Sequence, residues 1–457
     1  MSGRRHKVLL LNPPARGNVG RDGYTSGPAK GPFLFQPMDL QIQSGFLAAA
    51  NFRLEFLDAV YEGLSPEQCL GRIRKIAPSS VLGLVGVAFK RQDAAFYKAL
   101  KALNPDLRIF LSGDIARFEP ERTLATFEDA EGVLLDFGSP GLAEHLHRRR
   151  HPALLRRNDP DREPYQPPKG EAYDYPLPWV GFMRKYGYQL PFFEDPVYYG
   201  ISASFGCPYR CRYCNTHLAG FRRRSVDAFL QELRYAKALG FASLYIRDAT
   251  FFSDREWTGR LFERWAGEGH RFEWLALTRP DLVDDDLAER AAGLGCRMLV
   301  MGAESDDEQA LRAVDRGMNL TSLRRGFESA RRHGIRTAAQ FIVGLRTPEP
   351  QKDAAARVRS AKESITAFLD GLDPDDVSLA VFDRRPGVSV TGEILVAMDE
   401  QRRQWEALSR RLERRFYLRP RRLLREVRRW RSWPQVRLVL KTAFHVMVRP
   451  HGAGRWG

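Results

Sequence analysis

Between residues 197 and 381 short apolar runs alternate with stretches of helical period, which restricts this part of the chain to an α/β fold built on a parallel sheet. Strands are expected at 197–204, 243–248, 271–276, 296–301, 337–343 and 377–381. Between them, Val226–Leu239 places apolar residues 226, 229, 230, 233 and 236 on one face, with Ser225 suited to cap its start and Gly240 to end it. Further helices are expected at 284–292, 306–314, 321–333 and 354–369. About six such units in a row suit a sheet curved into a partial barrel. Polar residues collect where the strands end: Asp248, Thr278 and Arg279, Gly302 to Ser305, and Gly344. In parallel α/β folds that carboxyl edge is where ligands sit.

The first strand leads directly into Cys207, Cys211 and Cys214, spaced C-x3-C-x2-C. Three thiolates in one short loop can hold three irons of a four-iron, four-sulfur cube and leave the fourth iron without a protein ligand. Such an iron beside an aromatic residue, here Tyr213, is a reaction site rather than an electron store. Two other readings use the same residues. His217 could complete a Cys3His zinc site, or two of the cysteines could pair and leave a spare thiol. Five cysteines in 457 residues, with no signal peptide read at the start, argue against a disulfide framework. Cys69 and Cys296 read as small buried hydrophobes.

The C-x3-C-x-aromatic-C loop after a first strand resembles the radical SAM superfamily. Asp248 after the second strand, the Gly302-Ala-Glu-Ser305 run and Phe341-Ile-Val-Gly344 follow in that family's order, and the likeness covers about residues 196–385. The resemblance implies a [4Fe-4S] cluster on Cys207, Cys211 and Cys214. It also implies S-adenosylmethionine on the open iron, reductively cleaved to a 5′-deoxyadenosyl radical, and reduced flavodoxin or ferredoxin as electron donor. By the same likeness Tyr213 lies against the adenine, Asp248 meets the methionine amino group and Glu304 touches the ribose. Arg279 either pairs with the methionine carboxylate or is a surface cation before Pro280, and Gly344 belongs to a cofactor-binding loop. That loop departs from the usual Gly-Leu-Pro-Gly-Glu-Thr, reading Gly344-Leu-Arg-Thr-Pro-Glu349.

Residues 1–148 read as a separate doubly wound, Rossmann-like α/β domain. Strands are expected at 6–12, 52–58, 81–88, 107–112 and 132–135, with a glycine-rich loop to about Gly31 and a helix at 40–50. Leu11-Asn-Pro-Pro14 and Leu57-Asp58 resemble the cobalamin-binding domain often fused to radical SAM domains, which implies cobalamin as a further cofactor. The family's glycine-rich turns are degenerate here, at Ser112-Gly-Asp114 and 136–141. No Asp-x-His-x-x-Gly motif follows the first strand. Asp58 to Gly63 has that spacing after the second strand, with Val60 in the histidine place, and reads as coincidence. A vestigial scaffold or substrate-binding domain is the alternative. Residues 149–195 read as a linker, 196–400 as a partial (β/α)6 radical SAM barrel and 401–457 as a basic helical tail.

Residues 401–457 hold 17 lysines and arginines against 3 acidic residues, nearly all of the net charge of +16. Leu423, Val427 and Trp430 share one helical face of this tail, and Arg422, Arg425 and Arg429 another. Either residues 418–457 lie on an anionic membrane surface, or the apolar stripe packs on the barrel and the arginines face water. A cytoplasmic enzyme, peripheral on the inner face of the membrane in the first case, is the expected setting. Nucleic acid is not favoured, because the remaining cysteines are too few for a second cluster of the kind RNA-modifying relatives carry. The function expected is modification of an unactivated carbon of a small-molecule, lipid or tetrapyrrole-like substrate by cobalamin-dependent C-methylation. The alternatives are a radical SAM cyclase or oxidase and, in another class, a zinc-stabilised nucleic-acid-binding protein.

Overall fold

A computed structural model describes residues 6–448 apart from short stretches at 18, 22, 24–25, 29–32, 160–164, 168–172, 348–352, 383–384 and 389–401. Gly31, Pro348, Glu349, the boundary placed at residue 400 and the last nine residues of the tail lie outside the described residues. The chain divides into two compact units, one mainly of residues 1–189 and the other mainly of residues 190–440.

In the first unit, β1 (Lys7–Asn12) lies between β4 (Arg53–Asp58) and β5 (Ser80–Leu84), parallel to both. A short hairpin, β2 (Val19–Arg21) and β3 (Ser26–Pro28), follows β1. β6 (Arg108–Ser112) and β7 (Gly132–Leu134) extend the sheet in parallel, and β8 (Leu154–Arg156) closes the edge antiparallel to β7. Val8 to Leu11 are all fully buried because helices cover both faces, which is why β1 reads as a continuous apolar run. The strand order reverses at β1, so Asn12 and Asp58 stand at a switch point of the doubly wound kind. Within the segment expected to be a linker, β8 and a helix at Val180–Lys185 are formed. Three strand residues and six helical ones are too few to give a visible period, and β8 exists only through its pairing with β7.

The second unit is wound in sequence order. β9 (Tyr198–Ile201), β12 (Ser243–Ile246), β13 (Glu273–Thr278), β14 (Cys296–Glu304), β15 (Arg336–Val343) and β16 (Asp376–Val381) form one six-stranded parallel sheet. A small antiparallel pair, β10 (Ser204–Phe205) and β11 (Arg222–Arg223), lies after β9. The intervening helices start at side-chain caps: Ser225, Asp254, Asp284, Asn319 and Asp353 each accept a backbone N–H in the first turn. Each such cap is worth about 1 kcal/mol. β13 begins two residues later than expected, and β14 runs on to Glu304.

The helix Arg402–Tyr417 covers the edge strand β16. Trp405, Leu408, Leu412 and Phe416 are buried, and Ser409 Oγ donates to Leu379 O at 2.6 Å. The Tyr417 hydroxyl exchanges hydrogen bonds with the backbone of Val377. An exposed sheet edge is thereby paired and hidden. No helix among the described residues is long and apolar enough to cross a membrane.

Candidate functional site

β10 and β11 hold the base of the cysteine loop, pairing Ser204 with Arg223 and Phe205 with Arg222. Inside the loop, Cys214 N–H donates to Cys211 O at 3.0 Å and Arg212 N–H to Val314 O at 3.0 Å. All three loop cysteines are free thiols. Each sulfur has a polar neighbour: Thr250 Oγ1 lies 3.6 Å from Cys207 Sγ and Thr216 Oγ1 3.3 Å from Cys214 Sγ. An Arg316 Nη1 donates to Cys211 Sγ at 3.5 Å. Burial pushes the Cys207 thiol above its usual value, a cost that coordination to a cation removes by favouring the thiolate. Among the described residues no three His, Cys, Asp or Glu side chains are spaced to hold a single metal ion.

Tyr213 packs against a buried apolar cluster of Ala310, Val314, Leu345 and Phe382. Burial, with the Glu304 carboxylate nearby, holds its phenol well above the usual value. Glu304 ends β14 at a register shift with φ +61°, which rotates its side chain toward the loop. Its carboxyl is raised by burial against the opposing pull of Arg316, whose Nη2 is 3.4 Å away. Arg316 Nη2 also donates to Gly302 O at 3.0 Å. A Cβ at Gly302 would come 2.3 Å from Glu304 Oε1 and 2.6 Å from Arg316 Nη2, so the cluster requires glycine there. Cys211, Tyr213, Glu304 and Arg316 thus form one connected group at the carboxyl edge.

The other expected residues are placed differently. Asp248 is fully buried, and both oxygens serve the turn after β9. It accepts from Ala203 N at 2.6 Å, Ser204 Oγ at 2.5 Å and Ser202 Oγ at 3.3 Å. Arg279 is no surface cation: it is 2 % exposed and paired with Asp281 at 2.8 Å. Its Nη1 donates to Arg316 O, and the guanidinium lies 4.0 Å over the ring of Tyr209 in the cysteine loop. Those bonds spend most of its donors on the protein itself, so it anchors the loop. Gly344 has φ +95°, and a Cβ there would meet the Trp405 indole at 2.8 Å. The indole of the helix Arg402–Tyr417 therefore lies against that loop.

Four features escaped the sequence. Arg316, Thr250 and Trp405 touch the site only through the tertiary fold. The buried run Arg222 to Arg224 backs the loop, with Arg224 bound to Glu232 at 2.5 Å and to Ser202 O at 2.9 Å. Three consecutive arginines ahead of a helix cap were the one visible signal.

The donor set and the edge fit a cluster and a polar cofactor. Three thiols share one loop, and the Thr278 hydroxyl at the end of β13 and the Trp405 indole N–H are buried with no hydrogen-bond partner among the described residues. Buried polar groups ordinarily find one. In the first unit the carboxyl edge is a closed polar network. Asp58 accepts from Asn12 and Tyr188, Asp93 pairs with Arg21 at 2.7 Å and Asp114 accepts from Val87 N. No histidine stands in the turns after β1, β4, β5, β6 or β7, so a cobalt ion there would have no histidine ligand. Val60 is a buried side chain of the turn after β4.

Residues 201–357 match the Radical SAM superfamily. A stretch of 154 residues is 29% identical to the bacteriochlorophyllide d C-12(1)-methyltransferase of Chlorobaculum tepidum, covering 32% of this chain and 33% of that protein. In fold the chain is similar to the radical S-adenosylmethionine methyltransferase TsrM of Kitasatospora setae, solved with cobalamin and a [4Fe-4S] cluster. That likeness has a TM-score of 0.61 and 17% identity, over 84% of this chain and 76% of that one. It is also similar to the cobalamin-dependent S-adenosylmethionine radical enzyme OxsB, with a TM-score of 0.58 and 14% identity over 89% of this chain and 56% of that one. The chain carries a radical SAM domain, and its α/β architecture is that of cobalamin-dependent radical SAM enzymes.

Proposed function

We propose that this radical SAM chain methylates an unactivated carbon of a small-molecule, lipid or tetrapyrrole-like substrate. It would use a [4Fe-4S] cluster, S-adenosylmethionine and cobalamin, with reduced flavodoxin or ferredoxin as electron source. When bound, the cluster supplies the electron that cleaves the sulfonium, and cobalamin supplies a methyl carrier. Cys207, Cys211 and Cys214 would hold the cluster. Thr250, Thr216 and Arg316 stand at the three sulfurs and would stabilise thiolate charge through hydrogen bonds. Tyr213 and Glu304 would frame the nucleoside, and the Thr278 hydroxyl and Trp405 N–H would take up its polar atoms or the substrate's. Asp248 and Arg279 would act one step back, fixing the loop that carries the cysteines. Cobalamin would lie on the carboxyl edge of the first unit, held by the turns and without a histidine on cobalt.

The observation that carries this reading is the placing of three free thiols, each beside a polar group, on a loop at the carboxyl edge of a radical SAM sheet. The likeness to two kinds of methyltransferase supports methyl transfer. The test is anaerobic turnover with reconstituted protein and candidate acceptors drawn from the three substrate classes. Formation of 5′-deoxyadenosine with S-adenosylhomocysteine and a methylated product supports it. Deoxyadenosine and product without S-adenosylhomocysteine would replace methylation by cyclisation or oxidation. A bound corrinoid is expected after growth with cobalamin.

A further inference from the structure

A helix with one basic and one apolar face ordinarily turns the apolar face to the protein. The helix Pro420–Val427 does the reverse. Arg422, Arg425 and Arg429 point inward to carboxylates of the loop before β16: Arg422 to Asp373 at 3.2 Å, Arg425 to Asp373 at 2.9 Å and Arg429 to Asp375 at 2.8 Å. On the same side Arg419 pairs with Asp370, and Glu426 with Arg336 at 2.9 Å. At 100° per residue the opposite face carries Leu423, Leu424 and Val427, and these are 52 %, 53 % and 48 % exposed. Leu418, Trp433 and Leu440, on the flanking segments, are also more than half exposed. Arg421, Arg428 and Arg437 are exposed as well, and from residue 427 to residue 457 the sequence has no Asp or Glu.

We propose that residues 418–440 form a peripheral docking surface for an anionic lipid bilayer. Apolar side chains interleaved with cations match the acyl boundary and the phosphate layer at once. A second copy of this chain is the poorer occupant. Pairing the surface with itself would oppose Arg421, Arg428 and Arg437 to their own copies with no acid between them. The inverted helix is held by its ion pairs, so the apolar face is offered without any part unfolding. This inference stands on the tail alone and does not depend on the reaction.

The test is flotation of the full-length protein with phosphatidylcholine vesicles, with and without phosphatidylglycerol. The expected result is binding to the anionic vesicles that weakens with salt and is at least tenfold lower, roughly, for the Leu423→Asp/Leu424→Asp variant. Arg421→Glu/Arg428→Glu is expected to lose about tenfold on its own. Both pairs lie at the surface, and unchanged near-ultraviolet circular dichroism establishes that each variant is folded. Three results would overturn the proposal: no flotation of the wild type, equal flotation of the wild type and the Asp variant, or wild-type dimerisation without vesicles that the Asp variant abolishes. The last would assign the surface to a second copy.

Discussion

Replacing Asp248 by alanine tests whether the cysteine loop is held from below. The carboxylate accepts from the buried Ala203 N–H and from the hydroxyls of Ser202 and Ser204. Alanine leaves at least the Ala203 N–H and the Ser204 O–H without acceptors, at about 1–3 kcal/mol each. Part of that cost is returned, because burial already raises this carboxyl and removing it ends the penalty. A net loss of roughly 3 kcal/mol is expected. Asparagine keeps one acceptor oxygen, and its cost is expected near 1 kcal/mol. Six of the eight tryptophans belong to the second unit, so fluorescence during urea unfolding reports mainly on that unit. Because Ser204 opens the strand pair at the base of the loop, Asp248→Ala should also retain less iron than wild type after anaerobic reconstitution. Unchanged midpoint and unchanged iron in Asp248→Ala would refute the idea that this residue positions the loop.

Gly344→Ala should destabilise the second unit by about 2 kcal/mol, from the left-handed backbone and the collision with Trp405. Gly344→Ala/Trp405→Leu should cost less than the sum of its single substitutions, read as non-additivity in the same urea assay. In the first unit, burial raises Glu131, but its bonds to Arg108 and His145 overcome this and bring it down to about 2 from 4.5. A depressed carboxyl stabilises the fold above its unfolded pKa and loses that contribution as pH falls through the folded one. The stability gap between wild type and Glu131→Gln should therefore be full at neutral pH and close between about 4.5 and about 2. Glu131 is more than one-third exposed, so screening keeps that gap to about 1 kcal/mol.

Much of the second unit was legible because its strands are apolar runs and its helices begin at Ser, Asp or Asn caps. Those signals are local, and they survive folding unchanged. The cysteine loop was legible for the same reason: its three cysteines lie within eight residues of one another. Residues whose task depends on distant partners were not. Arg279 looks solvent-facing before Pro280, yet Asp281, the carbonyls after Val314 and the Tyr209 ring enclose it. Arg316 carried no local sign of its bond to Cys211, 105 residues earlier. In the tail, periodicity separated an arginine face from a leucine face but could not say which turns inward. Asp370, Asp373 and Asp375 decide that, and they precede β16 by only a few residues. The strand β8 was invisible because its partner, not its own composition, makes it a strand.

Cys207, Cys211 and Cys214 are proposed to hold a [4Fe-4S] cluster with one iron open to S-adenosylmethionine. Anaerobic reconstitution followed by iron and sulfide analysis and electron paramagnetic resonance of the reduced protein, with and without S-adenosylmethionine, tests it most directly. About four irons per chain are expected, together with a cluster signal that changes when S-adenosylmethionine is added. Each Cys→Ala substitution should abolish both. A colourless protein with one zinc per chain, or a cluster that persists in Cys211→Ala, would overturn that assignment.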